Sequence, residues 1–164
     1  MWKTSRLCNQ GNHTLLSAMV SKLSSIDPAE TSVLIVDDST QYSDVLRRIL
    51  KGVFGYTEIV SVDNTKEAFD RISAEPEKFR LMFVDFNFPG TEKGTDLLMR
   101  LKEASLMDER IAFLITSEPT LENVRSATSY GALGVLAKPF DREELKTQME
   151  KARIHIRTEN CESF

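Results

Sequence analysis

The chain has 164 residues, 41% of them hydrophobic, and a formal net charge of -4. That length suits one domain with a real core, and the mildly acidic, well-mixed charge excludes the basic footprint of a direct nucleic-acid binder. No apolar run approaches the roughly 18 residues of a membrane span, no signal-peptide core is present, and Cys8 and Cys161 match no metal or redox spacing. The default compartment is the cytoplasm. The thiols read as incidental, with a bridge between the two ends left open.

Residues 1–31 stand apart as an N-terminal extension. "MWKTSRLCNQGN" has no period, whereas Leu15, Leu16, Met19, Leu23 and Ile26 recur at helical spacing. This predicts one short amphipathic helix over 14–25, ended by Pro28, which disfavours helix at Asp27. Two readings are open: a tail whose helix packs on the domain, or a partner-binding helix.

From Val33 the pattern alternates. "SVLIVD" predicts a short buried strand, and "QYSDVLRRIL" a helix with Tyr42, Val45, Leu46, Ile49 and Leu50 on one face and Gly52 as its stop. "TEIVSV" is the second strand, and "NTKEAFDRI" opens a helix with Asn64 and Glu67 as a capping box. "LMFVD", "TDLLMRLKEA", "IAFLIT", the weaker "LENVRSATSYG", "GVLAK" and "DREELKTQMEKARIHI" complete the series, the last helix starting on a box of Asp141 and Glu144. Strands apolar along their whole length, each followed by a helix, predict an α/β domain with a parallel five-stranded sheet covered on both faces.

In such a sheet, ligands gather where the strands end. The first strand ends at Asp37 and Asp38, the third at Asp85, the fourth at Thr116 and the fifth at Lys138, while Asp63 after the second is left to capping. Each has an ordinary reading alone: an Asp after a strand caps a helix, a Thr bonds backbone, a Lys before Pro is solvated. Their joint placement argues against that. Clustered carboxylates repel, and a hard cation such as Mg²⁺ relieves this with oxygen ligands. A carboxylate can attack phosphorus to give an acyl phosphate, and a metal and an ammonium would neutralise the transferring group. Asp37 and Asp38 therefore read as holding a metal for chemistry at Asp85.

"VLIVDDS", "LMFVDFNFPG", "FLITSE" and "GALGVLAKPF" resemble, in order and spacing, the signature segments of receiver domains of two-component response regulators. The resemblance covers residues 32–157, leaving 158–164 as a tail. It implies a flavodoxin-like (βα)₅, doubly wound fold. It implies Mg²⁺-dependent phosphoryl transfer to Asp85 from a histidine kinase or phosphotransfer protein, with Asp37, Asp38, Asp85 and the backbone carbonyl of Asn87 at the metal. Thr116 would be the switch hydroxyl and Lys138 the phosphoryl partner, followed by a cis bond to Pro139. Asn87 and Glu118 resemble the pair that tunes dephosphorylation in fast-resetting chemotaxis-type receivers. Self-dephosphorylation would end the signal, output would be contact with an unknown downstream protein, and a homodimer is left open.

Three departures stand out. The "PGTEKG" loop is one residue longer than the common form, with Lys93 where an acid is usual. Val135 replaces the usual switch aromatic, which predicts a muted rotor there. "RTENCESF" is too short for an output domain, so the expectation is a stand-alone receiver. The alternatives are a phosphatase of the haloacid-dehalogenase type, disfavoured by Asp-Asp in place of Asp-x-Asp, and a receiver-like module that binds without phosphorylation.

Overall fold

The computed structural model describes residues 26–162, the last three as backbone only. The helix expected over 14–25 and Cys8 lie outside the described residues, as does the Cys161 side chain. Five strands form one parallel sheet: β1 (Val33–Val36), β2 (Ile59–Val62), β3 (Leu81–Asp85), β4 (Ile111–Thr116) and β5 (Ala132–Ala137), in the order β2-β1-β3-β4-β5. They alternate with α1 (Thr40–Phe54), α2 (Thr65–Ala74), α3 (Gly94–Glu103), α4 (Leu121–Ser129) and α5 (Arg142–Glu162). The continuous apolar strands predicted this parallel α/β sheet covered on both faces, and its strand order is the flavodoxin-like, doubly wound one that the resemblance implied.

Period two along the strands sorts the core into two layers. Leu34, Val36, Met82, Val84, Ala112 and Leu114 face α2, α3 and α4, against Ala68, Ile72, Leu97, Leu101 and Ala127. Val33, Ile35, Leu81, Phe83, Phe113 and Ile115 face α1 and α5, against Leu46, Leu50, Leu145 and Met149. β1, β3 and β4 are buried throughout, so each strand end is pinned by apolar contacts on both faces.

Several boundaries differ from expectation. Gly52 does not stop α1. The helix runs on to Phe54, which packs against the core, and Gly55 supplies the left-handed turn at φ 79°. Both predicted capping boxes form by half. Asn64 Oδ1 accepts from Glu67 N–H at 2.7 Å, while the Glu67 carboxylate turns to Arg71. Asp141 Oδ1 accepts from Glu143 and Glu144 N–H, while Glu144 Oε1 takes Ala137 N–H at 3.3 Å. In both cases another donor takes the second carboxylate. Residues 158–162 continue α5 instead of leaving it as a tail. At the other end Ile26 is buried, and Tyr56 Oη donates to Ile26 O at 2.5 Å, so the packed unit begins before residue 32.

Candidate functional site

The order β2-β1-β3-β4-β5 reverses between β1 and β3, and a crevice opens at the carboxyl ends of these strands. Val36 lies beside Val84, so Asp37 and Asp85, one residue further along each strand, stand side by side. Thr116 pairs with Ala137, which sets Lys138 at the same edge. Continuing the alternation of Val33 and Ile35, of Leu81 and Phe83, and of Leu136, the residues Asp37, Asp85 and Lys138 all fall on the α1/α5 face. Register and period thus bring two acids and a base together.

Their contacts are tight. Lys138 Nζ lies 3.0 Å from Asp37 Oδ2 and 3.0 Å from Asp85 Oδ2. The three side chains are 7%, 0% and 9% exposed respectively. Asp37 Oδ1 accepts from Ser39 N–H at 2.8 Å, whereas its buried Oδ2 meets the ammonium without hydrogen-bond geometry. Burial and the charge of Asp37 push the Asp85 carboxyl above the usual range, against the pull of Lys138 and the Asn87 amide. Burial pulls Lys138 down, but the two carboxylates of Asp37 and Asp85 beside it outweigh this, and its net shift is upward.

Asp38 is exposed beside this triad. Carboxylate oxygens of Asp37, Asp38 and Asp85 lie within 4.8 Å of one another. An all-oxygen set of this charge, compensated by one ammonium, suits a hard divalent cation. Asn87 follows β3, exposed between the buried Phe86 and Phe88 and opposite Lys93 in an antiparallel bridge whose hydrogen bonds run Gly94 N–H to Phe86 O and Phe88 N–H to Glu92 O. The Asn87 carbonyl is therefore outside the bridge's own bonds, which fits it to be a further oxygen donor.

Thr116 is fully buried, and its Oγ1 accepts from Glu118 N–H at 3.0 Å, so its proton is free to be given elsewhere. Glu118 is exposed. The Lys138–Pro139 peptide is cis. Val135 is half-buried against the core on the α2–α4 face. Asp63 is outside the cluster of Asp37, Asp38 and Asp85, and it does not cap the next helix: Asn64 is the cap, and its Nδ2 donates to Asp63 Oδ1.

Two contributors escaped the sequence reading. Tyr42 places its ring 4.3 Å from Lys138 Nζ and contacts Phe140. It lay on the predicted apolar stripe of α1, at the end nearest the crevice, but its role as a face for a cation needs the fold. Gly94 lies against the back of the site. A Cβ there would come within 2.0 Å of Asp85 O and 2.9 Å of Val84 Cγ1, so only glycine permits this approach.

The response regulator receiver domain model matches residues 33–150. Chemotaxis protein CheY-3 of Vibrio cholerae serotype O1 is 31% identical over 123 residues, covering 73% of this chain and 88% of that protein. Chemotaxis protein CheY of Pseudomonas aeruginosa is 29% identical, covering 73% and 93%. Among solved structures, a CheY-like receiver domain protein of Methanospirillum hungatei superposes with a TM-score of 0.65 at 26% identity, covering 79% of this chain and 98% of that one. Chemotaxis protein CheY4 of Vibrio cholerae gives 0.65 at 25% identity, covering 74% and 97%. These likenesses lend no support to the phosphatase or the phosphorylation-independent alternative.

Proposed function

The chain belongs to the response regulator receiver domain family, and on that premise we propose that it is a signalling switch set by a phosphoryl group on Asp85 and reset by its own hydrolysis. The donor is a phosphohistidine of a histidine kinase or phosphotransfer protein in the cytoplasm. An Asp85 oxygen forms a bond to phosphorus as the donor's N–P bond breaks, and the leaving imidazole takes a proton from solvent. In the reverse phase a water oxygen attacks phosphorus, the bond to Asp85 breaks, inorganic phosphate leaves and the carboxylate is restored. The observation that carries this reading is the Asp37–Lys138–Asp85 triad, with one ammonium shared between two carboxylates at 3.0 Å. Lys138 is placed to follow charge from the carboxylate to a phosphoryl oxygen. Thr116 supplies a hydroxyl proton for a second phosphoryl oxygen, and its movement, with the loop before α4, carries the switch while Val135 stays packed.

Asp38, Asp85 and the Asn87 carbonyl would hold Mg²⁺ directly and Asp37 would hold it through water. When bound, the ion supplies positive charge that offsets repulsion among carboxylates and phosphoryl oxygens. Asp37 is already engaged by Ser39 and Lys138, and Asp38 is exposed beside the cluster. Asp38→Ala is therefore expected to weaken Mg²⁺ by about tenfold, the scale of one lost charged contact. Asp37→Ala is expected to weaken it less. Titration calorimetry on the unphosphorylated protein reads both, and equal affinities would contradict the ordering.

Lifetime is the second expectation. Glu118 and Asn87 flank the path of a water opposite the leaving carboxylate, and such positioning changes rates strongly. Glu118→Ala and Asn87→Met should each slow phosphate loss several-fold without blocking uptake, in keeping with the fast-resetting receivers that this pair of residues resembles. Loss as fast as in the parent, from both variants, removes the assignment.

The function itself is tested by intact mass after incubation with a small phosphodonor and Mg²⁺, alongside release of phosphate. One phosphoryl group per chain that then decays supports the switch. Continuous turnover of donor in large excess over protein, with no adduct that accumulates, supports a phosphatase, and no adduct with no turnover supports a phosphorylation-independent module.

A further inference from the structure

The loop that carries Asn87 is held from outside the crevice. After β3 the chain goes out to Asn87 and returns to Gly94 as a small antiparallel hairpin, with Gly94 N–H on Phe86 O at 2.8 Å and Phe88 N–H on Glu92 O at 3.4 Å. Its base is fixed. Gly94 lies on the Asp85 backbone, Lys93 Nζ sits 5.3 Å from the Phe86 ring, and Lys93 N–H donates to Asp96 Oδ2 at 2.8 Å. Its tip is the loose end, because the outer backbone bond is long and Asn87 and residues 89–93 are exposed. The Thr65 hydroxyl reaches this tip and donates to Glu92 Oε1. Thr65 is the first residue of α2 and fully buried, directly after the Asn64 cap, so the donor stands on a rigid element. Glu92 then forms one wall of a cleft of about 350 Å³ with Asp38, Asp63, Asn64, Phe88 and Pro89.

We propose that the Thr65–Glu92 hydrogen bond is a clamp that positions Asn87. By tying the hairpin tip to α2 it fixes where Asn87 stands relative to Asp85, and through Asn87 it sets both metal affinity and the lifetime of the phosphorylated state. Thr65 and Glu92 are positioning residues. What Asn87 does rests on the receiver reading above, but where Asn87 is held does not. The longer "PGTEKG" loop, with its Glu92, supplies the acceptor for this bond.

Four variants of the full chain test the clamp. Thr65→Val removes the donor with no change of charge, and Thr65→Ser keeps it. Glu92→Ala removes the acceptor, and Glu92→Gln keeps an acceptor oxygen while removing the charge. Three quantities are read: Mg²⁺ affinity of the unphosphorylated protein by calorimetry, the Asn87 backbone amide shift without metal, and the rate of phosphate loss. Thr65→Val and Glu92→Ala should each weaken Mg²⁺ by about threefold to fivefold, as for one lost hydrogen bond. Both should move the Asn87 amide and slow phosphate loss, and the double variant should be no worse than the worse single. Ser at 65 and Gln at 92 should restore parent behaviour. Parent-like values in Thr65→Val and Glu92→Ala overturn the clamp. So does a Thr65→Ser as impaired as the Val variant, or a Glu92→Gln as impaired as the Ala variant. Glu92 is exposed, so its pair of variants decides the matter if Thr65→Val fails to fold. A parent that takes no phosphoryl group on Asp85 sinks the functional reading alone, since the amide shift and Mg²⁺ affinity still judge the clamp.

Discussion

Replacing Asp85 by Asn is expected to abolish phosphoryl uptake and leave the fold intact. An amide oxygen is too poor a nucleophile toward phosphorus, and no neighbouring group stands in. Asp38 is exposed at the rim, and Asp37 is turned to Ser39 and Lys138. The same change should not destabilise the metal-free protein. Burial and the charge of Asp37 already work against the Asp85 carboxylate, and removing it leaves Asp37 and Lys138 as a balanced pair. Stability without Mg²⁺ should stay level or rise by about 1 kcal/mol. Chemical denaturation and a phosphodonor assay on the same preparation check both halves, and uptake at the parent rate would sink the assignment.

Lys138→Met is the opposite case. It strands two carboxylates, Asp37 and Asp85, beside each other with side chains 0% and 9% exposed. Breaking a buried pair by removing one partner is costly because the remaining charge is uncompensated. The crevice opens to solvent on the side of Asp38, so the expected loss is toward the lower end, about 2 to 3 kcal/mol. In a chain of this size that corresponds to about 5 to 10 °C in Tm. Mg²⁺ should recover part of the loss, since a bound cation takes over the neutralisation. The Tm difference between variant and parent should therefore narrow in Mg²⁺. A variant as stable as the parent in chelator would mean that the ammonium does not offset the two carboxylates.

How much of this was legible follows from which contacts are periodic. The continuous apolar runs "VLIV", "LMFV" and "IAFLI" announced strands buried on both faces, and β1, β3 and β4 are so buried. Once the strands are parallel, their last residues must share an edge. That is why Asp37, Asp38, Asp85, Thr116 and Lys138 could be named together from their positions after apolar runs. Contacts made across the fold leave no period. In "KGVFGY" two glycines compete to end α1, and the packing of Phe54 decides for Gly55. Tyr42 reaches Lys138 from 96 positions away, and Thr65 reaches Glu92 from 27 away. Arg110 is buried with its guanidinium on the carbonyls of Phe79, Leu106 and Pro76, joining two loops at the far end of the sheet. Only folding brings such carbonyls together, so nothing periodic in the sequence marks this arginine.

The central claim is that a single carboxylate, that of Asp85, becomes an acyl phosphate. The most direct measurement is reductive trapping. The protein is exposed to a small phosphodonor and Mg²⁺, treated with borohydride, which reduces an acyl phosphate to an alcohol, and then fragmented and sequenced by mass spectrometry. The account predicts one reduced side chain, at position 85, that is absent when donor is withheld. Reduction at position 37 or 38 instead, or no donor-dependent reduction anywhere in the chain, would contradict it.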